Sequence, residues 1–175
     1  MKTFYKYHGA GNDFIMIDNR DGHFDIDDIE HIKLVCHRRF GVGADGIMLV
    51  EKHPEYDFRM MFINSDGSRG SMCGNGARCI VSFAHNILKI IKNPDNIVFE
   101  TAKGMHRAMV LKDGQIKLKM NDIKNISTRN DLPFTSDTGT PHNVIFVENI
   151  YKCPVIEIGR KLRYEDPDGV NANFV

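Results

Sequence analysis

The sequence has few cysteines, no net charge and no long hydrophobic run. Its 175 residues include 23 basic and 23 acidic side chains, so it lacks the positive charge excess that a protein binding nucleic acid or an anionic membrane needs. It contains no run of about 18 apolar residues, and the N-terminal MKTFYKYHGAGNDF lacks the apolar segment of a signal peptide. We therefore expect a cytoplasmic globular protein that binds a small molecule, with no nucleic-acid partner and no membrane partner.

The four cysteines are too few and too irregularly spaced for a disulfide framework. They form no CxxC pair of the kind that structural zinc sites favour, so we expect free thiols and no metal. Cys36 and Cys79 are best explained as small buried apolar side chains, and Cys153 carries no signal. Cys73 is considered below.

Apolar periodicity predicts an α+β protein. The segment 27–39 has the pattern of an amphipathic helix. The helix expected after Gly76, over residues 75–91, is apolar nearly all round, which is typical of a helix wrapped by other structure. Strands are predicted at Phe4–Tyr7, Phe14–Asp18, Ile47–Glu51, Phe58–Ile63 and Ile97–Thr101, with a hairpin at Met105–Leu111 and Gln115–Met120.

Beyond Met120 the sequence changes character. Residues 121–137 are polar and rich in turn residues, which predicts a domain over 1–120 and a boundary near Met120. The remainder, 121–175, offers a strand at Val144–Val147, a helix at Val155–Tyr164 and the start of a strand in 169–175. So little apolar periodicity predicts an incomplete second domain, whose exposed strand edge we expect to associate or to be partly disordered.

The pattern GxGxxG occurs at 41-GVGADG-46. A dinucleotide fingerprint needs a strand before the glycines and a helix after them. Here a predicted helix precedes and a strand follows. We interpret the segment as a helix-to-strand connection.

Cys73 lies in 71-SMCGNGARC-79, where Gly74-Asn75-Gly76 turns into the wrapped helix. Backbone N–H groups at a helix N-terminus favour a thiolate, and can lower a cysteine pKa from about 8.5 to between roughly 3.5 and 7.5. The same donors can hold a carboxylate. A merely buried thiol is the commoner case, but the flanking glycines favour a nucleophile or a base.

The sequence leaves the partners of this thiol open. Any of His8, His85, His106 and His142 is conceivable beside it. Four asparagines lie in glycine-rich or turn contexts beside apolar strands. Each could be an ordinary turn residue, but together they indicate a polar cage for an amino-acid-like ligand. They are Asn12, Asn64, Asn75 and Asn171.

Six motifs resemble, in order and along the entire chain, those of the diaminopimelate epimerase family. They are HGAGNDF (8–14), GVGADG (41–46), NSDGS (64–68), MCGNGARC (72–79), TGTPHNV (138–144) and GVNANF (169–174). The resemblance implies two similar domains, each a mixed sheet rolled around a central helix. It also implies interconversion of LL- and meso-diaminopimelate, on the route to lysine and cell-wall peptide, with neither cofactor nor metal.

The resemblance implies roles for individual residues. Cys73 would be a catalytic base, and the Gly74-Asn75 backbone would bind the substrate carboxylate. Asn12, Asn64 and Asn171 would hold the polar ends of the substrate, and His142 would tune the proton affinity of the thiols. Thr140 departs from the asparagine of many members, so no contact is assigned to it.

Inversion without a cofactor needs a second base, and the family's second cysteine motif has no counterpart here. We therefore expect a truncated form, arising by cloning, proteolysis or gene truncation, that is inactive or nearly so alone. Two alternatives stay open: another isomerase of the superfamily, and a non-catalytic module that uses the Cys73 loop to bind a carboxylate. The sequence also leaves a homo-oligomer open.

Overall fold

The computed structural model describes residues 3–123, 126–128, 134–137, 141–165 and 169–175. The chain divides into two compact units, Met1–Lys119 and Met120–Val175. In the described parts, no helix is long and apolar enough to cross a membrane.

The first unit contains eight described strands and two helices. The strands are β1 (Tyr5–Gly9), β2 (Asn12–Asp18), β3 (Gly46–Glu51), β4 (Phe58–Asn64), β5 (Arg69–Gly70), β6 (Ile97–Thr101), β7 (Gly104–Val110) and β8 (Ile116–Lys119); the helices are α1 (Ile29–Cys36) and α2 (Gly74–Asn86).

These strands form one mixed sheet in the order β1-β2-β3-β4-β6-β7-β8, with the short β5 beside β4. The β2/β3 and β4/β6 pairs are parallel, and the others are antiparallel. Helix α2 contacts the edge strands β1 and β8 as well as β2 and β3. The sheet is therefore rolled around α2, which confirms the α+β fold expected from the sequence.

The wrapped helix owes its position to apolar side chains on most of its circumference. Ile80, Val81, Phe83 and Ala84 are fully buried, and the ring of Tyr5 lies 5.2 Å from that of Phe83. The opposite face of the sheet packs on α1, which buries Ile32 and Cys36 there. Each face of the sheet thus has its own core.

Two helices end earlier than predicted. Helix α2 stops at Asn86 and not at residue 91, because Lys89 has a left-handed φ of 55° and the Leu88 N–H turns back to the Phe83 carbonyl at 3.1 Å. The apolar pattern continues because Leu88, Ile90 and Ile91 cover the core from a loop. Helix α1 stops at Cys36, where the backbone becomes extended at His37.

The second unit contains four described strands. They are β9 (Ile126–Thr128), β10 (Phe134–Asp137), β11 (Pro141–Ile145) and β12 (Asn171–Phe174), in the sheet order β12-β11-β10-β9. A short 3-10 helix (Ile150–Lys152) and α3 (Val155–Glu165) connect β11 to the parallel β12. No strand was predicted in 121–137, but β9 and β10 lie there. Each of these strands has one apolar residue followed by polar ones, so the sequence lacks the apolar–polar alternation that predicts a strand.

Candidate active site

A tight hairpin presents Asn12. Ala10 and Gly11 connect β1 to β2 with φ values of 54° and 86°, and Gly9 pairs with Asn12 across the turn. Two consecutive positive φ values are typical of a type I′ turn, which matches the twist of the flanking strands. Since Asn12 lies two residues before the buried Phe14, its side chain is on the sheet face that holds α2.

The tip of this hairpin lies directly on the first turn of α2. A Cβ atom at Gly9 would lie 3.1 Å from the Asn75 Cβ and 3.2 Å from the Asn75 Cα and carbonyl oxygen. Real Cβ atoms rarely come that close to a backbone, so the contact needs glycine at this position. The absent side chain allows Asn12 to reach the helix N-terminus.

Cys73 caps α2. Its backbone is extended, its Sγ accepts the Gly76 N–H at 3.4 Å, and its carbonyl accepts the Ala77 N–H at 2.8 Å. The N–H groups of Gly74 and Asn75 belong to the first turn, where an α-helix offers no carbonyl acceptor. The half-buried thiol therefore lies beside two donors that can bind an anion.

The thiol also contacts Asn12. The distance from Cys73 Sγ to Asn12 Oδ1 is 3.4 Å, and because a carbonyl oxygen only accepts, the thiol is the donor. On its other side, Asn12 donates from Nδ2 to Asp45 Oδ2 at 2.7 Å. The structure thus brings two of the predicted site residues together.

Asp45 belongs to a cluster of charges behind Asn12. The Arg38 guanidinium donates to the Asp13 carboxylate at 2.8 and 3.0 Å and to Asp45 Oδ1 at 2.7 Å. Lys6 lies 2.8 Å from Asp13. The hydrogen bond from Arg38, with a smaller contribution from Lys6, holds the pKa of the Asp13 carboxyl well below its usual range. The GVGADG loop connects α1 to β3, as predicted, but its acid and the preceding arginine were missed as site residues.

Two more predicted residues lie near this end of the sheet. Asn64 pairs with Gly46, which pairs with Phe14, so Asn64 ends its strand where Asn12 begins one. Its Nδ2 donates to Ser68 Oγ at 2.9 Å. The Asn75 side-chain oxygen accepts from Arg78. The Asn75 backbone N–H is a separate group, in the first turn of α2.

The remaining two predicted residues belong to the second unit. His142 pairs with Asn171 between β11 and β12, and Asn173 Nδ2 donates to His142 Nδ1 at 2.9 Å. His142 and Asn171, to which the resemblance gives roles, are therefore neighbours in one sheet. Thr140 lies outside the described residues.

The other cysteines lie in different environments. Burial raises the pKa of Cys36 and of Cys79 to about 11, which keeps both protonated at neutral pH. Cys153 ends the 3-10 helix. Among the described residues, no three His, Cys, Asp or Glu side chains are grouped as metal ligands.

The fold defines a class of protein. Over 97% of this chain, at a TM-score of 0.65 and 19% identity, it resembles 65% of a phenazine biosynthesis protein of the PhzF family from Bacillus anthracis. A probable proline racemase from Agrobacterium radiobacter matches at a TM-score of 0.66 and 15% identity, over 94% of this chain and 59% of that one. The chain thus has the fold shared by these proteins.

Sequence comparison defines the family. The family model described as "Diaminopimelate epimerase" matches residues 4–126. A diaminopimelate epimerase from Flavobacterium psychrophilum is 43% identical over 98% of this chain and 66% of its own length. The one from Chlorobaculum tepidum is 39% identical over 95% and 67%. The chain belongs to the diaminopimelate epimerase family, and it spans about two thirds of the length of these relatives.

Proposed function

We propose that this chain is part of an epimerase that interconverts LL- and meso-diaminopimelate without a cofactor. In this proposal Cys73 is one of the two bases of the enzyme. The observation that supports this most strongly is the placement of the Cys73 thiol. It lies at the N-terminus of α2, between the Gly76 N–H and the Asn12 amide, beside the N–H groups of Gly74 and Asn75.

This arrangement suits removal of an α-proton. The proton beside an ammonium and a carboxylate is weakly acidic, so the site must supply a base at contact distance and stabilise the charge that develops. In our proposal the N–H groups of Gly74 and Asn75 bind the substrate carboxylate at the positive end of α2. The α-carbon then faces Cys73 Sγ, which takes up or delivers the proton.

The other residues have supporting roles in this proposal. Asn12 at the start of β2, Asn64 at the end of β4 and Asn171 bind the polar ends of the substrate. His142, adjacent to Asn171, tunes the proton affinity of the thiols. Each role comes from the family motif that contains the residue.

We further propose that these 175 residues do not invert the substrate alone. Inversion requires a base on each face of the α-carbon. Cys36 and Cys79 are buried in the core with raised pKa values, and Cys153 follows a 3-10 helix without a glycine turn. None of them matches the environment of Cys73.

Deuterium uptake tests the role of Cys73. Diaminopimelate is incubated with the chain in D₂O, and label at the α-carbon is measured by mass spectrometry. We expect label to enter with the unaltered chain, and Cys73→Ala to slow its entry by at least about 100-fold, since that is a typical contribution of a general base. Cys153→Ser, which replaces a thiol outside the site, is the matched control.

Three results would contradict the proposal or redirect it. Equal label entry in the Cys73→Ala variant would exclude this thiol as the base. Binding of diaminopimelate without any label entry would favour a carboxylate-binding module. Faster exchange into proline than into diaminopimelate would favour another isomerase of the same fold.

A further inference from the structure

Asn12 is the link between the Cys73 thiol and the charged cluster behind it. Its Oδ1 lies 3.4 Å from Cys73 Sγ, and its Nδ2 lies 2.7 Å from Asp45 Oδ2. The amide therefore has a different partner on each side. Which atom faces the thiol decides what the amide does to the thiol proton.

The Asp45 carboxylate fixes that choice. Turning a primary amide by half a revolution exchanges its oxygen for its nitrogen, and the two ends have opposite hydrogen-bonding roles. An ionised carboxylate only accepts hydrogen bonds, so it pairs with Nδ2 and not with Oδ1. With Asp45 in place, Asn12 must present Oδ1 to Cys73.

Asp45 is itself held firmly. Its Oδ1 accepts from Arg38 at 2.7 Å, and its Oδ2 accepts the Asp13 N–H at 3.1 Å as well as the Asn12 amide. Its backbone N–H donates to the Asp13 carbonyl at 3.0 Å, and its carbonyl accepts the Ser65 N–H at 3.0 Å. Both carboxylate oxygens and the backbone thus have fixed partners.

The orientation of the amide has a consequence for the thiol. A hydrogen bond that only the protonated form can make favours that form, and Oδ1 accepts from S–H but gives nothing to a thiolate. The Gly76 N–H, 3.4 Å from Sγ, acts in the opposite direction. If the amide turned, both contacts would favour the thiolate.

We propose that Asp45 is a positioning residue that fixes the orientation of the Asn12 amide, so that Asn12 Oδ1 accepts the hydrogen bond from the Cys73 S–H in the empty site. Its meaning for proton transfer rests on the proposed function, since Cys73 must lose this proton before it can act as the base. The positioning itself can be tested without substrate.

Other charges surround the thiol, and the test must separate their direct effect from the orientation of the amide. Removing Asp45 also removes a negative charge, which by itself would favour a thiolate. The charged and titratable groups on these elements are Lys6, Asp13, Asp18, Tyr5, Tyr7 and His8 on the hairpin, His37, Arg38, Arg39 and Asp45 in the loop before β3, and Arg78, Cys79 and His85 on α2.

The experiment measures the pH dependence of alkylation of Cys73 by iodoacetamide. Tryptic cleavage after Arg69 and Arg78 isolates Cys73 in its own peptide, away from Cys79, for mass spectrometry. We expect Asp45→Ala to lower the midpoint of the profile by about 0.5 to 1 pH unit, the size of one net hydrogen bond. An unchanged or raised midpoint would overturn the proposal.

A double-mutant cycle separates orientation from charge. If Asp45 acts through Asn12, then adding Asp45→Ala to Asn12→Ala should move the midpoint by no more than about 0.3 pH unit, the usual error of additivity. An equal downward shift in both backgrounds would show a direct charge effect and would also overturn the proposal. The control is Asp18→Ala, which removes a carboxylate paired with Arg20 at the opposite end of β2.

Asp45→Asn is the second variant, for the case that Asp45→Ala does not fold. It keeps the size of the side chain but can itself turn, so it no longer fixes the Asn12 amide. We expect the same direction of shift, abolished in the Asn12→Ala background. Since alkylation needs no turnover, a normal Cys73 profile in both Asp45 variants would refute the positioning and leave the proposed function standing. If the unaltered chain showed no deuterium exchange but the Asp45 variants shifted the Cys73 profile as expected, the proposed function would fail and the positioning role would stand.

Discussion

At the residue scale, His106 is a polar side chain in an apolar place. It is 3% exposed, its ring lies 5.8 Å from that of Phe99, and neither ring nitrogen has a hydrogen-bond partner among the described residues. Burial lowers the pKa of His106 below its ordinary value of 6.5. The imidazole is therefore neutral in the folded chain at neutral pH.

This burial makes stability depend on pH. The unfolded chain binds a proton at His106 more readily than the folded chain does, so stability is full above about pH 6.5 and falls as the pH drops towards the lowered folded-state pKa. We expect urea unfolding to show this fall in the unaltered chain. His106→Leu should flatten it and raise the free energy of unfolding at neutral pH by about 1 to 3 kcal/mol.

A second histidine provides the control. His31 lies exposed on α1, so His31→Gln should leave the pH profile of stability unchanged. If His106→Leu left the profile as steep as before, another group would have to account for the acid sensitivity.

The residues of the site differ in how well the sequence could predict them. Cys73 and Asn12 lie in glycine-rich motifs that resemble those of the family, and this resemblance assigned both to one site. Asp45 lies 33 positions from Asn12, and nothing local marks an acid in a loop as the partner of a distant amide. Likewise His106 was one of four candidate histidines, because the sequence does not show which of them the core covers.

At the element scale, the contact between the hairpin and α2 sets the geometry of the site. We expect Gly9→Ala to destabilise the first unit by about 1 to 3 kcal/mol, since its Cβ would press on the Asn75 backbone and little can yield there. It should also separate Asn12 from Cys73 and change the alkylation profile of the thiol. Urea unfolding and iodoacetamide labelling measure the two effects.

Gly159 is the matched control for this substitution. It lies inside α3, and a Cβ there would meet its nearest neighbour, Phe174 Cε2, at 3.4 Å, near ordinary contact. Gly159→Ala should stabilise α3 by about 0.5 to 1 kcal/mol, because alanine loses less backbone entropy in a helix. Destabilisation of similar size by both substitutions would refute the specific role of Gly9.

Elements with clear periodicity were predictable, and their ends were less so. Apart from β5, the strands of the first unit were predicted to within one or two residues because each alternates or runs apolar between turn residues. The last residues assigned to α2 were wrong because a loop can bury apolar side chains as well as a helix can. The two-residue β5 is too short to leave a pattern.

At the scale of the whole molecule, the described side chains of the two units differ in how much apolar surface they bury. Among the described residues of the second unit, Leu162 and Val170 are the buried apolar side chains. Phe146, Tyr151 and Ile156 there are 70%, 97% and 83% exposed. The side chains that the structure describes in the second unit therefore contribute little hydrophobic burial to its stability.

Hydrogen exchange should show this difference. We expect amide protons of β11, α3 and β12 to exchange faster than those of β2, β3 and α2, because local opening is easier where few apolar contacts must break. Mass spectrometry of peptides from both units measures this in one sample. Uniform protection across the two would contradict the expectation, and protection that rises with protein concentration would indicate association between copies.

The central claim is that Cys73 exchanges the α-proton of diaminopimelate from one face. The most direct test is the configuration of the carbon that carries deuterium after incubation of the 175-residue chain with LL-diaminopimelate in D₂O, read by chiral separation and mass spectrometry. We predict label at the α-carbon with its configuration retained. Inverted, labelled product from the mass-verified chain would contradict the claim that these residues supply one base, and absence of label from bound substrate would contradict the role of Cys73.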